Sequence, residues 1–111
     1  MSNCRCHNPP FHYQDFASVP VGVDETHGRY GEVSVETCAH CGEKWLCYFV
    51  EYEAFTASGR WFRGVLAEKV APTITPENSI AYLESLPWYF AGGSYFGSTG
   101  FKTTGKIRAD L

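Results

Sequence analysis

The feature that most constrains this chain is the turn Cys38-Ala39-His40-Cys41-Gly42, which lies between two stretches with the pattern of β-strands. Two cysteines at this spacing can place both sulfur atoms on one metal ion, and the glycine lets the backbone turn directly after them. A second close pair stands in Cys4-Arg5-Cys6-His7. Structural zinc sites take four nitrogen or sulfur ligands, usually as two close pairs from separate parts of a chain. We therefore predict a Zn²⁺ site formed by Cys4, Cys6, Cys38 and Cys41.

This arrangement resembles the zinc-ribbon and zinc-knuckle proteins, in which two turns each supply two ligands. The resemblance is confined to the two cysteine pairs and to the strand pattern on either side of the second pair. The first pair differs from the usual one in being CxC rather than CxxC. The resemblance implies a site that takes two ligands from each cysteine pair.

Two histidines and a fifth cysteine leave the ligand set open. His7 adjoins Cys6, and His40 lies inside the CxxC turn, so either imidazole could replace a thiolate. Residues between the cysteines of such turns usually point outward, which makes His40 the weaker substitute. Cys47 lies in an apolar strand pattern and is expected in the core as a small hydrophobic residue.

The alternative to zinc is a set of free or redox-active thiols. A thioredoxin-like CxxC motif follows a strand and opens a helix. Here a strand pattern follows the motif, which favours a metal over a redox site. A catalytic zinc ion keeps one coordination position open, whereas four cysteines close the shell. The HExxH and zinc-deaminase signatures are both absent from the sequence.

The periodicity predicts an α+β fold built on an antiparallel β-meander with strands at about 30–37, 44–55 and 60–67. Val33 and Val35 alternate with polar residues, as on a half-buried strand. The second strand is apolar on both faces at its start, so we expect both of its faces to be covered there. Thr56-Ala57-Ser58-Gly59 is typical of a hairpin turn.

The flanking segments differ from this pattern. Residues 1–29 show little periodicity and are predicted to form an irregular N-terminal arm held by the metal. Thr75-Pro76-Glu77 is a helix start, and Pro87 ends the helix, which gives one helix at about 76–86. A segment rich in glycine and aromatic residues follows. We predict one zinc-binding domain over residues 1–111.

Composition limits the class of protein. The 111 residues are 44% hydrophobic and 19% charged, which is typical of a folded domain. A net charge of −3 argues against a nucleic-acid-binding surface. No apolar run reaches the ~20 residues of a membrane span, and the N-terminal residues lack the apolar core of a signal peptide. Five cysteines do not form a complete disulfide framework, so a reducing cytoplasmic location is expected.

These features together favour a non-enzymatic, zinc-stapled module that binds another protein, as a regulator, an adaptor or an inhibitor of the toxin-immunity kind. Recognition is expected through the sheet face and the aromatic C-terminal segment, with acidic residues steering a basic partner. The candidate partner-binding residues are Trp88, Tyr89, Tyr95, Phe96, Glu51 and Glu53, and Glu32 and Glu36 are further charges that could steer the partner.

Two other classes of function stay open at this point. A nucleic-acid-binding zinc module would stack bases on the aromatic rings and hold phosphates with Arg60, Arg63, Lys102, Lys106 and Arg108. A small enzyme would use an open zinc site or the Glu51 and Glu53 carboxylates, which share one face of a strand. Pairing of these carboxylates with Arg60 and Arg63 across the hairpin is the more ordinary explanation.

Overall fold

A computed structural model of the chain describes residues 5–7, 11, 13–26, 30–50, 59–93 and 98–107. The described residues form one six-stranded antiparallel sheet whose strands are adjacent in sequence order. Its strands are β1 (Phe16–Asp24), β2 (Gly31–Cys38), β3 (Lys44–Val50), β4 (Arg60–Val65), β5 (Tyr89–Gly93) and β6 (Ser98–Thr103). Helix α1 (Ser79–Ser85) connects β4 to β5, and 3-10 turns lie at Arg5–His7, Tyr13–Asp15, Ala71–Thr73 and Pro76–Asn78. The predicted α+β meander is confirmed.

The predicted irregular arm is wrong for its second half, because residues 16–24 form the edge strand β1. This strand pairs with β2 from Phe16 opposite Cys38 to Asp24 opposite Gly31, with a bulge between Pro20 and Gly22. A proline lacks the N–H needed in a central strand but is tolerated at an edge. The proline and the bulge interrupt the alternation that would have revealed the strand.

The main core lies between one face of the sheet and α1. Leu46, Tyr48 and Val50 of β3 are buried on this face, as the two-faced strand pattern predicted. Ile80 and Leu83 of α1 belong to the same cluster. Burial of these side chains anchors the helix against the sheet, since a helix of seven residues is not stable alone.

The start of the helical segment is capped as predicted. Asn78 donates its N–H to Thr75 Oγ1 at 3.2 Å, and Thr75 donates its N–H to Asn78 Oδ1 at 2.9 Å. This reciprocal capping box begins a 3-10 turn, and α1 follows it. Leu86, which follows α1, is extended with a ψ of 150°, as expected for the residue before Pro87.

Other boundaries differ from the predicted ones. The third predicted strand ends at Val65 rather than at residue 67, and the aromatic C-terminal segment forms β5 and β6. Residues 51–58, with the predicted hairpin turn and with Glu51 and Glu53, lie outside the described residues, as do Tyr95 and Phe96.

A second cluster covers one end of the opposite sheet face. The buried residues of this cluster are Cys6, Cys38, Trp45 and Phe90. Two phenylalanines pack against them, Phe11 and Phe16. The described residues from the first 3-10 turn to the start of β1 are called the N-terminal segment. Phe11 and Phe16 therefore cover one end of the sheet face that lies opposite α1. The sulfur atoms of Cys6, Cys38 and Cys41 lie at this end of the sheet.

The close packing of Gly31 against Tyr48 gives a first testable prediction. A Cβ atom at Gly31 would lie 2.2 Å from the Tyr48 ring, whose hydroxyl donates to the buried Asp24 Oδ2 at 2.8 Å. Gly31→Ala must displace this ring and lower the free energy of unfolding by about 2 kcal/mol. Urea denaturation measures the change. An unaltered midpoint would show that Tyr48 does not hold this position.

Candidate metal centre and adjoining sheet face

Three cysteine sulfur atoms converge at one end of the sheet. Cys38 is the last residue of β2, Cys41 lies in the turn that follows, and Cys6 lies in the 3-10 turn Arg5–His7. The Sγ atoms of Cys6 and Cys41 are 3.6 Å apart, and all three sulfur atoms lie within 4.8 Å of one another. These separations bracket the ~3.8 Å expected for a tetrahedral site with metal–sulfur bonds of about 2.3 Å.

This spacing fits a metal site better than a disulfide. A disulfide joins sulfur atoms at about 2.05 Å, and none of the described cysteines is oxidised in that way. The group could hold a metal ion. Cys4, the predicted fourth ligand, lies outside the described residues.

The backbone of the CxxC turn holds the sulfur atoms in place. His40 donates its N–H to Cys38 Sγ at 3.4 Å, and Gly42 donates its N–H to Cys38 O at 2.9 Å. Gly42 has a φ of +80°, a conformation that costs glycine little. The turn therefore presents the Cys38 sulfur atom next to the backbone N–H of His40.

Neither histidine joins the sulfur group. His40 Nε2 lies 2.9 Å from Asp15 Oδ1, and Ala39 donates its N–H to Asp15 O at 2.8 Å. His7 Nε2 lies 3.1 Å from Glu43 Oε1. Each histidine side chain therefore contacts a carboxylate rather than the sulfur atoms. For His40 this agrees with the expectation that its side chain points away from the metal.

The acidic partners of these histidines were not predicted from the sequence. Glu43 directly follows the CxxC turn, and this adjacency was a usable signal. Asp15 lies in the segment predicted to be irregular, 25 residues before His40. No local pattern could have identified that contact.

Cys47 stays outside the centre, as predicted. Burial raises the pKa of its thiol well above the ordinary value, and a hydrogen bond to Glu36 acts in the same direction. The thiol is therefore protonated at neutral pH and is neither a ready metal ligand nor a nucleophile.

Next to Cys47 lies a largely buried ion pair. Arg63 Nη2 donates to Glu36 Oε1 at 2.8 Å, and the exposed fractions of the two side chains are 9% and 22%. The guanidinium carbon lies 4.3 Å from the Phe16 ring centroid and 4.7 Å from that of Phe11. The N-terminal segment thus covers the arginine with aromatic rings. Arg63 pairs with a carboxylate on β2, whereas the sequence suggested a partner on β3.

An open groove of about 760 Å³ extends over the sheet face beyond this ion pair. Its floor is formed by β1 to β4, and its lining contains aromatic rings together with acidic and hydroxyl side chains. The residues that carry its chemistry are Phe11, Phe16, Glu32, Glu36, Phe49, Trp61 and Arg63. The second face of β3 is therefore covered near Trp45 but open near Phe49, which is 39% exposed.

The aromatic partner-binding candidates are placed differently from one another. Tyr89 is 2% exposed, packs against Phe62 and donates its hydroxyl to Gly105 O at 2.9 Å. Its side chain belongs to the core cluster, and a role of Tyr89 in partner binding stays a prediction. Trp88 is half-buried, with Lys102 Nζ 4.4 Å from its ring centroid.

The predicted phosphate-binding residues do not form one exposed basic surface. Arg60 and Arg63 are both buried. Lys106 is exposed, whereas Arg108 lies outside the described residues. Two of the five predicted phosphate-binding side chains, Arg60 and Arg63, are therefore buried and do not offer their charge to a ligand at the surface.

Comparisons of the chain with protein-family models, with curated proteins and with solved structures find no match. Among the described residues, no helix is both long and apolar enough to cross a membrane.

Proposed function

We propose that this protein is a non-enzymatic, zinc-stapled module that binds another protein. The observation that carries the proposal is the convergence of Cys6, Cys38 and Cys41 within 4.8 Å at the end of the sheet. Cys4 stands two residues before Cys6 and is the natural fourth ligand. A Zn²⁺ ion bound there would supply folding free energy rather than chemistry.

The chain's own residues explain why the ion would be structural. Cys6 and Cys38 are buried at 0% and 2% exposure, next to Trp45 and Phe90. Cys41 is exposed, so the solvent-facing side of the site would be closed by a fourth thiolate from Cys4, which would leave no coordination position for a reacting water molecule. A reducing location such as the cytoplasm would keep the four thiols available for the metal.

The staple would also shape the sheet face. A metal bound by Cys6 would fix the N-terminal segment to the end of β2, and the rings of Phe11 and Phe16 lie over Arg63. The metal would in this way support one wall of the groove. A groove of this size, with aromatic walls and acidic and hydroxyl side chains between them, suits recognition of a partner's side chains.

The competing functions have weaker support. A nucleic-acid-binding module needs an exposed basic surface, whereas Arg60 and Arg63 are buried. An enzyme built on zinc needs an open coordination position, and four cysteines would leave none. The carboxylates of Glu51 and Glu53 lie outside the described residues and stay a prediction.

Cobalt(II) substitution tests a closed thiolate site directly. We expect one cobalt ion per chain, with the intense visible absorption of tetrahedral thiolate coordination and no spectral change when azide is added. A shift of the absorption bands with azide would reveal an exchangeable position, which favours the enzyme alternative. Absence of thiolate–cobalt absorption would contradict the metal site itself.

A further inference from the structure

We infer that the groove binds a basic segment of a partner protein, with one lysine or arginine side chain lying over Phe49 and Trp61 beside the Glu32 carboxylate. These three residues are called the Glu32 site below. The inference rests on the proposed protein-binding function and specifies its chemistry. It depends on the strand register, on the charges of the groove and on the exposure of its rings.

The strand register places the three side chains in one row. Glu32 of β2 lies opposite Phe49 of β3, and Phe49 lies opposite Trp61 of β4. Directly opposite residues of antiparallel strands have Cβ atoms about 4.5–5.5 Å apart on the same sheet face. All three side chains line the groove. A carboxylate and two aromatic rings are thus side by side.

The charges in the groove leave Glu32 uncompensated. Among the described residues, three charged side chains line it, and Arg63 and Glu36 neutralise each other in their 2.8 Å ion pair. The guanidinium is covered by Phe11 and Phe16, so it does not face a ligand. Within the described residues, Glu32 has no ion-pair partner and its side chain is exposed.

The rings of the site add a second attraction for a cation. The exposed fraction of Phe49 is 39%, which is high for a large apolar side chain, and Trp61 is half-buried. A cation over an aromatic face gains from the ring quadrupole, and the neighbouring carboxylate adds a charge pair. The aliphatic stem of lysine or arginine would cover the Phe49 ring. An anionic ligand would meet the unpaired carboxylate and be repelled.

The test uses the full, zinc-loaded chain and two small probes, N-acetyl-arginine amide and its citrulline counterpart, which has nearly the same shape without the charge. Two-dimensional NMR follows the Trp61 indole N–H and the Phe49 amide during titration. We expect saturable shifts at these two positions with the arginine probe and binding at least fivefold weaker with the citrulline probe.

Three variants localise the interaction. Glu32→Gln removes the charge and should raise the dissociation constant of the arginine probe about fivefold. Phe49→Leu keeps an apolar side chain without a π face and should raise it about threefold. Glu68→Gln removes an exposed charge from the turn after β4 and serves as the matched control, with no change expected.

Four results would overturn the inference. The first is equal binding of the two probes, and the second is an equal effect of Glu32→Gln and Glu68→Gln on that binding. The third is that inorganic phosphate, instead of the arginine probe, shifts the NMR signals of the site. The fourth is that these signals shift with protein concentration alone. The third would indicate an anionic ligand, and the fourth a second copy of this chain. Each of these results, obtained with zinc bound, leaves the stapled module intact and removes only the Glu32 site.

Discussion

Cys38→Ser is expected to abolish metal binding and to unfold the domain or its N-terminal segment. Cys38 is 2% exposed, ends β2 and belongs to the sulfur group. Because the free energy of metal binding is also folding free energy, we expect a loss of more than about 4 kcal/mol in the free energy of unfolding. Thermal denaturation followed by circular dichroism, with metal analysis of the same sample, measures both effects.

Two further cysteine variants separate metal loss from loss of packing. Cys41 is exposed, so Cys41→Ser removes a ligand with little change in the core and should also release the metal. Cys47→Ser should keep one metal ion per chain and cost only about 1 kcal/mol. Full thermal stability of Cys41→Ser, or metal loss in Cys47→Ser, would contradict the assigned centre.

Glu36→Gln is expected to cost about 3 kcal/mol of folding stability. The substitution keeps the shape of the side chain but leaves Arg63 as an uncompensated, largely buried charge beneath Phe11 and Phe16. Removal of one member of such a pair is costly because the remaining ion cannot recover its hydration. Urea denaturation at neutral pH measures the change.

Glu32→Gln is the matched control for this variant, since Glu32 lies on the same strand and lines the same groove. It should change stability by less than about 0.5 kcal/mol because Glu32 is exposed. The double variant Glu36→Gln/Arg63→Met should be more stable than Glu36→Gln alone, because the buried charge is then absent. Equal stabilities of Glu36→Gln and Glu32→Gln would show that the ion pair does not support the fold.

The parts of the structure that were predictable from the sequence depend on local spacing. Cys38 and Cys41 are three residues apart, Thr75 and Pro76 mark a helix start, and the two apolar faces of β3 follow from alternation along one strand. Each of these signals is complete within a few residues. The turn, the cap and the burial of Leu46 and Tyr48 are accordingly found where the sequence placed them.

The parts that were not predictable depend on contacts between distant segments. Strand β1 is exposed along residues 17–20 and is interrupted by Pro20, so its alternation carries no readable signal. Its formation depends on pairing with β2. Glu36 and Arg63 are 27 residues apart, and only the sheet register brings them together. The groove likewise exists only once the N-terminal segment lies on the sheet.

The most direct test of the staple is the metal content of the purified protein, measured by elemental analysis together with thiol titration before and after chelation. We expect one zinc ion per chain and four thiols released by chelation, with the Cys47 thiol reacting slowly until the protein is denatured. A protein without metal whose five thiols react freely before chelation would show that the cysteines do not form a metal site.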